Sequence, residues 1–199
     1  MRRFLLLILF FLLLVVPLYS YKILYAEQFY KLYHSHFLQY PENINENILF
    51  LEMALKTPFI NPLNALTKIE NQEEWERYRY LLKLHVNLEL IKQYRLLGSK
   101  YDKRKAYFYN YPWKEDNLKS LEIAESYYET SLYYWEQAKD LASQIDELPY
   151  LHLSGVQYWE DEYTRIKTGE LDYRIILKSD IERLNRVRED FLAMDDSTY

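Results

Sequence analysis

The stretch 121-LEIAESYYETSLYYWEQAKDLASQI-145 carries the clearest pattern in the chain. Leu121, Ala124, Tyr128, Ser131, Trp135, Ala138, Ala142 and Ile145 follow one another at alternating steps of three and four. That is the repeat of one face of an α-helix, and it predicts a helix of about seven turns. Small and large residues alternate along this seam, which predicts close approach by a neighbouring helix. Tyr127, Tyr134 and Leu141 form a second stripe about 100° away, so a second flank is also expected to be covered.

Helical patterns continue on both sides. Asn71 followed by Glu74 has the form of a capping box and opens a helix over Gln72–Leu97 that Gly98 is expected to end. Its apolar residues, from Trp75 through Leu81, Val86 and Leu90 to Leu97, are spread too widely for a helix covered on one side only. Upstream, the spacing predicts helices over Lys22–Tyr40 and Asn45–Thr57, and Asn61-Pro62 predicts the start of a short one over Leu63–Ile69. Downstream, helices are expected over Val156–Lys167 and Leu171–Ala193, with Gly169 making the turn between them. The last is expected to pack through Tyr173, Ile176, Ile181, Leu184, Val187 and Phe191, with Asp180, Glu182, Arg183, Arg186 and Glu189 facing outward. Nothing reads better as a strand than as a helix, so the fold class is all-α: antiparallel helical hairpins in series, stacked rather than bundled. The domain spans residues 27–194, and residues 195–199 form a polar, frayed tail.

At the N-terminus, Arg2 and Arg3 precede an uncharged apolar run beginning at Phe4. Positive charge before an apolar segment places the N-terminus in the cytoplasm and the remainder outside it. The run from Phe4 to Tyr19 is short for a bilayer core needing about 20 apolar residues. Ile23 to Ala26 lengthen it if Lys22 snorkels. Residues 1–26 are therefore expected to be a transmembrane anchor or a signal peptide. An anchor, with residues 4–26 in the inner membrane, makes the chain a single-pass protein with a periplasmic domain; cleavage makes it a secreted periplasmic one. Leu18 fits the usual small-residue cleavage pattern poorly.

An exported domain without cysteine depends on core burial alone. Composition supplies the material, with 22 Tyr, 9 Phe and 4 Trp against 3 Gly and 6 Pro, which argues against disorder. The net charge is -5, and -7 without Arg2 and Arg3, so there is no overall electrostatic pull towards nucleic acid.

Two segments resemble tetratricopeptide repeats, 34-residue units of paired helices. Tyr94-x2-Leu97-Gly98-x2-Tyr101 is similar to the first-helix pattern, and Ala124-x3-Tyr128-x2-Ser131 to the second, with an insertion of about 14 residues between the halves. Asn47-Ile48-x2-Leu51-Glu52-x-Ala54-Leu55 followed by Asn61-Pro62 resembles another second helix and its closing proline, and Thr168-Gly169-Glu170-Leu171 resembles the turn of a degenerate last unit. The whole chain also resembles, in architecture and in its tyrosine-rich texture, the membrane-anchored periplasmic repeat proteins of spirochaetes, including those of the collar around the flagellar motor. That resemblance implies a scaffold subunit contacting other proteins of a large ring-like assembly.

The insertion itself, 103-KRKAYFYNYPWK-114, is the strongest candidate site. Tyr107, Phe108, Tyr109, Tyr111 and Trp113 share one connection with four basic residues. Such a loop must either fold back as a lid on its own core or offer aromatic anchors to a partner. His34 and His36 point apart on a helix, and His85 and His152 are read as lacking a partner at ligand spacing, so no metal site is expected. The carboxylates Glu73, Glu74 and Glu76, and Glu160, Asp161 and Glu162, read as helix-start and solvated-face residues. No catalytic constellation and no cofactor motif is found, and no small-molecule substrate is expected. The expected function is a non-enzymatic scaffold of a membrane-associated complex, working by protein–protein contacts. A periplasmic binding module for a peptide or glycan in an aromatic groove is the alternative.

Overall fold

Half of the capping box at Asn71 is realised: its side chain accepts a hydrogen bond of 2.9 Å from the Glu74 backbone N–H, starting the second longest helix among the described residues, while the Glu74 carboxylate accepts from the Glu70 N–H and the Asn71 side-chain amide instead of the Asn71 backbone. In the computed structural model, which describes residues 22–195 and residue 197, six α-helices follow in order. They are α1 (Ala26–Gln39), α2 (Ile44–Lys56), α3 (Gln72–Tyr101), α4 (Lys114–Asp146), α5 (Gln157–Lys167) and α6 (Tyr173–Ala193). Short 3-10 turns lie at Pro62–Asn64, Phe108–Trp113 and Ser154–Val156. Among the described residues there is no strand, and the fold class is all-α.

α3 and α4 form the central pair. Arg77 Nη1 reaches the Ile145 carbonyl at 3.4 Å, Ser131 Oγ the Ile91 carbonyl at 3.4 Å, and Ser120 Oγ the Tyr101 carbonyl at 2.7 Å, so the two helices run antiparallel. The buried residues of α4 are the eight predicted seam positions, Leu121 to Ile145. α3 is buried around most of its circumference, because α2, α4 and α5 all pack on it. α2 lies antiparallel to α3 through Tyr94–Glu52 at 2.6 Å and Lys100–Glu42 at 3.4 Å. α1 folds back on α2, with His36 Nδ1 2.8 Å from Asn47 Oδ1 and the Ala26 N–H on the Pro58 carbonyl at 2.9 Å. α6 runs antiparallel to α4 through Arg188–Glu125 and Arg174–Glu136.

Several expectations are corrected. Gly98 does not end α3, which runs on to Tyr101. A Cβ at position 98 would lie 2.7 Å from Tyr128 Cε1, so this glycine serves a close helix approach rather than a stop. The short helix over Leu63–Ile69 shrinks to the Pro62–Asn64 turn. There the Leu66 N–H donates to the Tyr78 hydroxyl at 3.2 Å, and Thr67 Oγ1 accepts from the Gly155 N–H, so tertiary bonds hold the segment out of helical form. The seam of α6 runs through Leu177, Asp180, Leu184, Val187 and Phe191. Asp180 is buried because Arg95 and Arg183 both bind it, and Ile176 is exposed instead. Gly169 makes its turn at φ 76°, as its position implies. Of the expected anchor over residues 4–26, residues 4–21 lie outside the described residues, as do residues 196, 198 and 199 of the expected tail, whereas Ala26 is the first residue of α1 and is buried. Among the described residues no helix is long and apolar enough to cross a membrane.

Candidate functional site

The aromatic connector starts where α3 stops. Asp102 caps that helix, and its carboxylate accepts from the Tyr128 hydroxyl at 2.8 Å and pairs with the Arg183 guanidinium, joining the end of α3 to the middle of α4 and of α6. After this fixed point the chain runs without helix to Tyr107 and then winds into the Phe108–Trp113 turn. The turn is closed by the Asn110 N–H on the Tyr107 carbonyl at 2.8 Å and by Asn110 Oδ1 on the Tyr107 N–H at 3.1 Å. Its far end is equally tied: Lys114 Nζ donates to the carbonyls of Leu192 and Met194 at 3.0 and 2.9 Å.

Between these anchors the five predicted site aromatics divide. Tyr111, with Ala106, packs partly buried against the core, while Tyr107, Phe108, Tyr109 and Trp113 are 48%, 64%, 49% and 58% exposed. Tyr107 and Tyr109 stack at 5.2 Å and 6°, and Phe108 sets its edge against Tyr109 at 5.5 Å and 77°. The fold-back expectation thus holds for Tyr111 alone. The other four form a solvent-facing ledge.

Beside the root of the connector, a groove of about 640 Å³ lies between the C-terminal half of α3 and α6, with Tyr128 of α4, Phe37 of α1 and Arg104 of the connector also lining it. Most of its charges are paired: Lys92 with Glu89 at 2.6 Å, Arg95 with Asp180 at 2.7 Å, and Arg183 with Asp180 at 3.0 Å as well as with Asp102. Among the described residues Arg104 has no ion-pair partner. Three of the lining residues each carry a buried atom with no hydrogen-bond partner, closed off from the groove itself: Gln93 Oε1, Asp102 Oδ1 and Arg183 Nε. Gln93 is only 2% exposed.

Deeper, where α1, α3 and α5 meet, His85, Glu89 and Glu162 bring ligand-type atoms within 4.8 Å of one another. This corrects the reading that His85 lacks a carboxylate partner. Glu89 stands one helical turn on, a spacing visible in the sequence, and Glu162 arrives from α5 with Oε2 2.6 Å from His85 Nδ1. Every group already has a protein partner. Tyr30 OH lies 3.0 Å from His85 Nε2, Tyr33 donates to Glu89 at 2.6 Å, and Lys92 Nζ lies 2.6 Å from Glu89 and 3.9 Å from Glu162. The lysine ammonium occupies the role a metal cation would take, and the cluster is a satisfied charge network. Burial pushes the Glu89 carboxyl up, but the charges of Lys92 and His85 and the bonds from Lys92 and Tyr33 outweigh it, and the net shift is downward. Glu160 is likewise no solvated residue: it is buried and forms a bidentate pair with the equally buried Arg77.

What the geometry defines is a helical domain presenting an aromatic ledge beside a polar groove. Residues 73–194 match a family described as Domain of unknown function (DUF8513), and the chain belongs to that family. The matched segment runs from the first turn of α3 to just past α6, so it holds the connector and most of the groove and leaves α1 and α2 outside. No curated protein and no solved structure matches the chain.

Proposed function

We propose that this chain is a non-enzymatic scaffold subunit of a membrane-associated assembly outside the cytoplasm, which docks a partner protein on its aromatic connector. The observation that carries this reading is the ledge itself. Four large aromatic side chains stay in water on a backbone pinned at both ends, although apolar surface favours burial by about 25 cal/mol per Å². Preordered Tyr and Trp side chains are the residues that dominate protein–protein contacts, because little entropy is lost when they bind.

The stacked-hairpin reading draws support from the α3–α4 seam. Gly98 faces Tyr128 and the Ala124 carbonyl, which brings together the two half-patterns that resemble a tetratricopeptide unit. The helices of 30 and 33 residues are far longer than a 34-residue unit allows, so the likeness concerns the seam rather than the unit length. Placement in an inner-membrane-anchored collar of the spirochaete type follows from the resemblance of the whole chain and from the charge pattern ahead of Phe4.

Trp113→Ala combined with Tyr109→Ala tests the reading. The double variant is expected to keep the helical circular dichroism and unfolding midpoint of the parent, and to lose most of the cross-linked partner recovered from intact cells. A sharp fall in the midpoint, with recovery per folded molecule unchanged, would assign the ledge to the protein's own stability and remove the scaffold contact from it. The alternative, a binding module for a peptide or glycan, draws on the groove between α3 and α6, which has Phe37, Tyr128 and Tyr173 among its lining residues.

A further inference from the structure

We infer that the Pro62–Asn64 turn and the residues just ahead of α1 form a seat on the bilayer surface, with Leu63 and Leu24 entering the lipid interface beside the point where the N-terminal segment joins the domain. The inference rests on the reading of that segment as a retained anchor, and it concerns the opposite end of α3 from the aromatic ledge. Single exposed leucines are ordinary on protein surfaces. Leu63 differs in degree and in place. It is 89% exposed, more than any other large apolar residue among those described, and Leu24 is 51% exposed. Its backbone is fixed: the Leu63 N–H donates to Asn61 Oδ1 at 3.0 Å, the Ala65 N–H to the Pro62 carbonyl at 3.2 Å, and the Leu66 N–H to the hydroxyl of buried Tyr78 at 3.2 Å. The turn thus holds a leucine out in solvent on an ordered backbone.

Hydrogen bonds put this turn next to the entry of the chain. The Ala26 N–H donates to the Pro58 carbonyl at 2.9 Å, and the Ile60 N–H to Glu27 Oε2 at 2.9 Å. At no more than about 3.6 Å per residue, Leu63 lies within about 11 Å of Ile60, and Lys22 within about 14 Å of Ala26. The uncharged apolar run from Phe4 to Tyr19 precedes Lys22, so a membrane that holds this run lies at this end of the domain. A folded partner about 30 Å across does not fit into such a gap. The headgroup layer, about 5–8 Å deep on each side of the hydrocarbon core, does. The chemistry of the patch matches that layer. Phe59 and Trp75, both half-buried, meet edge to face at 5.9 Å, Tyr25 is half-buried beside Leu24, and Lys22 and Lys68 are exposed. Aromatic rings, leucines and lysines are the side chains that settle at the boundary between headgroups and acyl chains. Lys68 is already paired with Glu70 at 2.6 Å, so apolar contact rather than charge carries the attraction.

The chain has no cysteine, so Leu63→Cys gives a single site for an environment-sensitive nitrobenzoxadiazole label. The labelled full chain is reconstituted in nanodiscs of phosphatidylcholine and phosphatidylglycerol, with and without lipid that carries a nitroxide at the top of its acyl chain. Leu24→Cys and Leu192→Cys are labelled alongside, the second lying beside the far end of the connector, where Lys114 binds the Leu192 carbonyl. All three positions are exposed, and the labelled variants are expected to keep the unfolding midpoint of the parent. The label at position 63 is expected to emit at shorter wavelength than the label at 192, and to lose several-fold more of its intensity to the nitroxide lipid. Quenching at 63 no greater than at 192, with strong quenching at 24, would overturn the seat and leave the anchor reading standing. Absence of quenching at 24 as well would overturn both. Short-wavelength emission at 63 without quenching by lipid would assign the cover to protein, a second copy or a partner, and overturn the seat equally. Partner recovery through Trp113 and Tyr109 is read in a separate experiment, so the contact made by the ledge stands or falls independently of each of these results.

Discussion

Arg77 shows how a single residue can hold three helices. Its Nε and Nη2 bind Glu160 of α5, and its Nη1 reaches the carbonyls of Ile145, Leu148 and Pro149 at the C-terminal end of α4, where a cation also complements the helix dipole. Tyr150 and Tyr163 lie 5.6 Å from the guanidinium. Glu160→Gln leaves a buried charge uncompensated and is expected to cost about 3–5 kcal/mol, read as a fall in the urea unfolding midpoint. Adding Arg77→Met is expected to recover only part of this, because the α4 carbonyls lose their donor; full recovery would mean that water reaches them. Glu89 governs a pH effect. Its carboxyl is ionised more readily in the folded chain than at its ordinary 4.5, so the stability it contributes is present above that pH and is lost as pH falls through the lowered folded value. Glu89→Gln is therefore expected to lower stability at pH 7 by about 1.5–3 kcal/mol, the worth of its charged hydrogen bonds, with the gap to the parent closing below pH 4.5. A gap that stays constant down to acid pH would show that the network does not need the charge.

At the scale of the helix, close approach sets the sequence. Gly98→Ala would ordinarily favour a helix by about 1 kcal/mol. Here the added Cβ meets the Tyr128 ring at 2.7 Å, and Tyr128 cannot swing away freely because its hydroxyl is bonded to Asp102. The substitution is expected to destabilise by about 1–3 kcal/mol in thermal unfolding; a neutral result would mean the ring has room to shift. The same glycine explains what was legible. The seam of α4 could be read because all eight buried residues follow one unbroken helical register. Gly98 was misread because a glycine chosen for its missing Cβ looks, in one dimension, like a stop signal, and only the ring on the other helix tells them apart. Asp180 was misread because its two arginine partners come from α3 and from its own helix, and the pairing that buries it leaves no periodic trace. The connector was legible from composition, since five aromatics in one loop are out of place. The groove was not, because its polar atoms are drawn from α3, the connector and α6, and they converge only after folding.

For the whole molecule, the two ends of α3 separate the places where the chain enters the domain and where it offers its ledge. α1 begins beside the front of α3, with the Ala26 N–H on the Pro58 carbonyl and Glu27 bonded to the Tyr78 hydroxyl and the Ile60 N–H. The connector follows Tyr101 at the other end. From Tyr78 to Asp102 the helix axis advances about 35 Å at 1.5 Å per residue. If an N-terminal anchor holds residue 22 at the bilayer and the long helices stand away from it, the ledge and groove project well beyond the headgroups, which suits a subunit that contacts a partner across the envelope. The chain has no cysteine, so paired spin labels introduced by Leu24→Cys and Lys105→Cys, both at exposed positions, report this separation directly. Pulsed electron–electron distance measurements are expected to give a distribution centred above about 30 Å, set by the rise along α3. A centre below about 20 Å would place the connector back beside the start of α1, which that same rise does not permit. The aromatic ledge would then face the same surface as the anchor, and the membrane itself, rather than a partner protein held at a distance, would become the surface it covers.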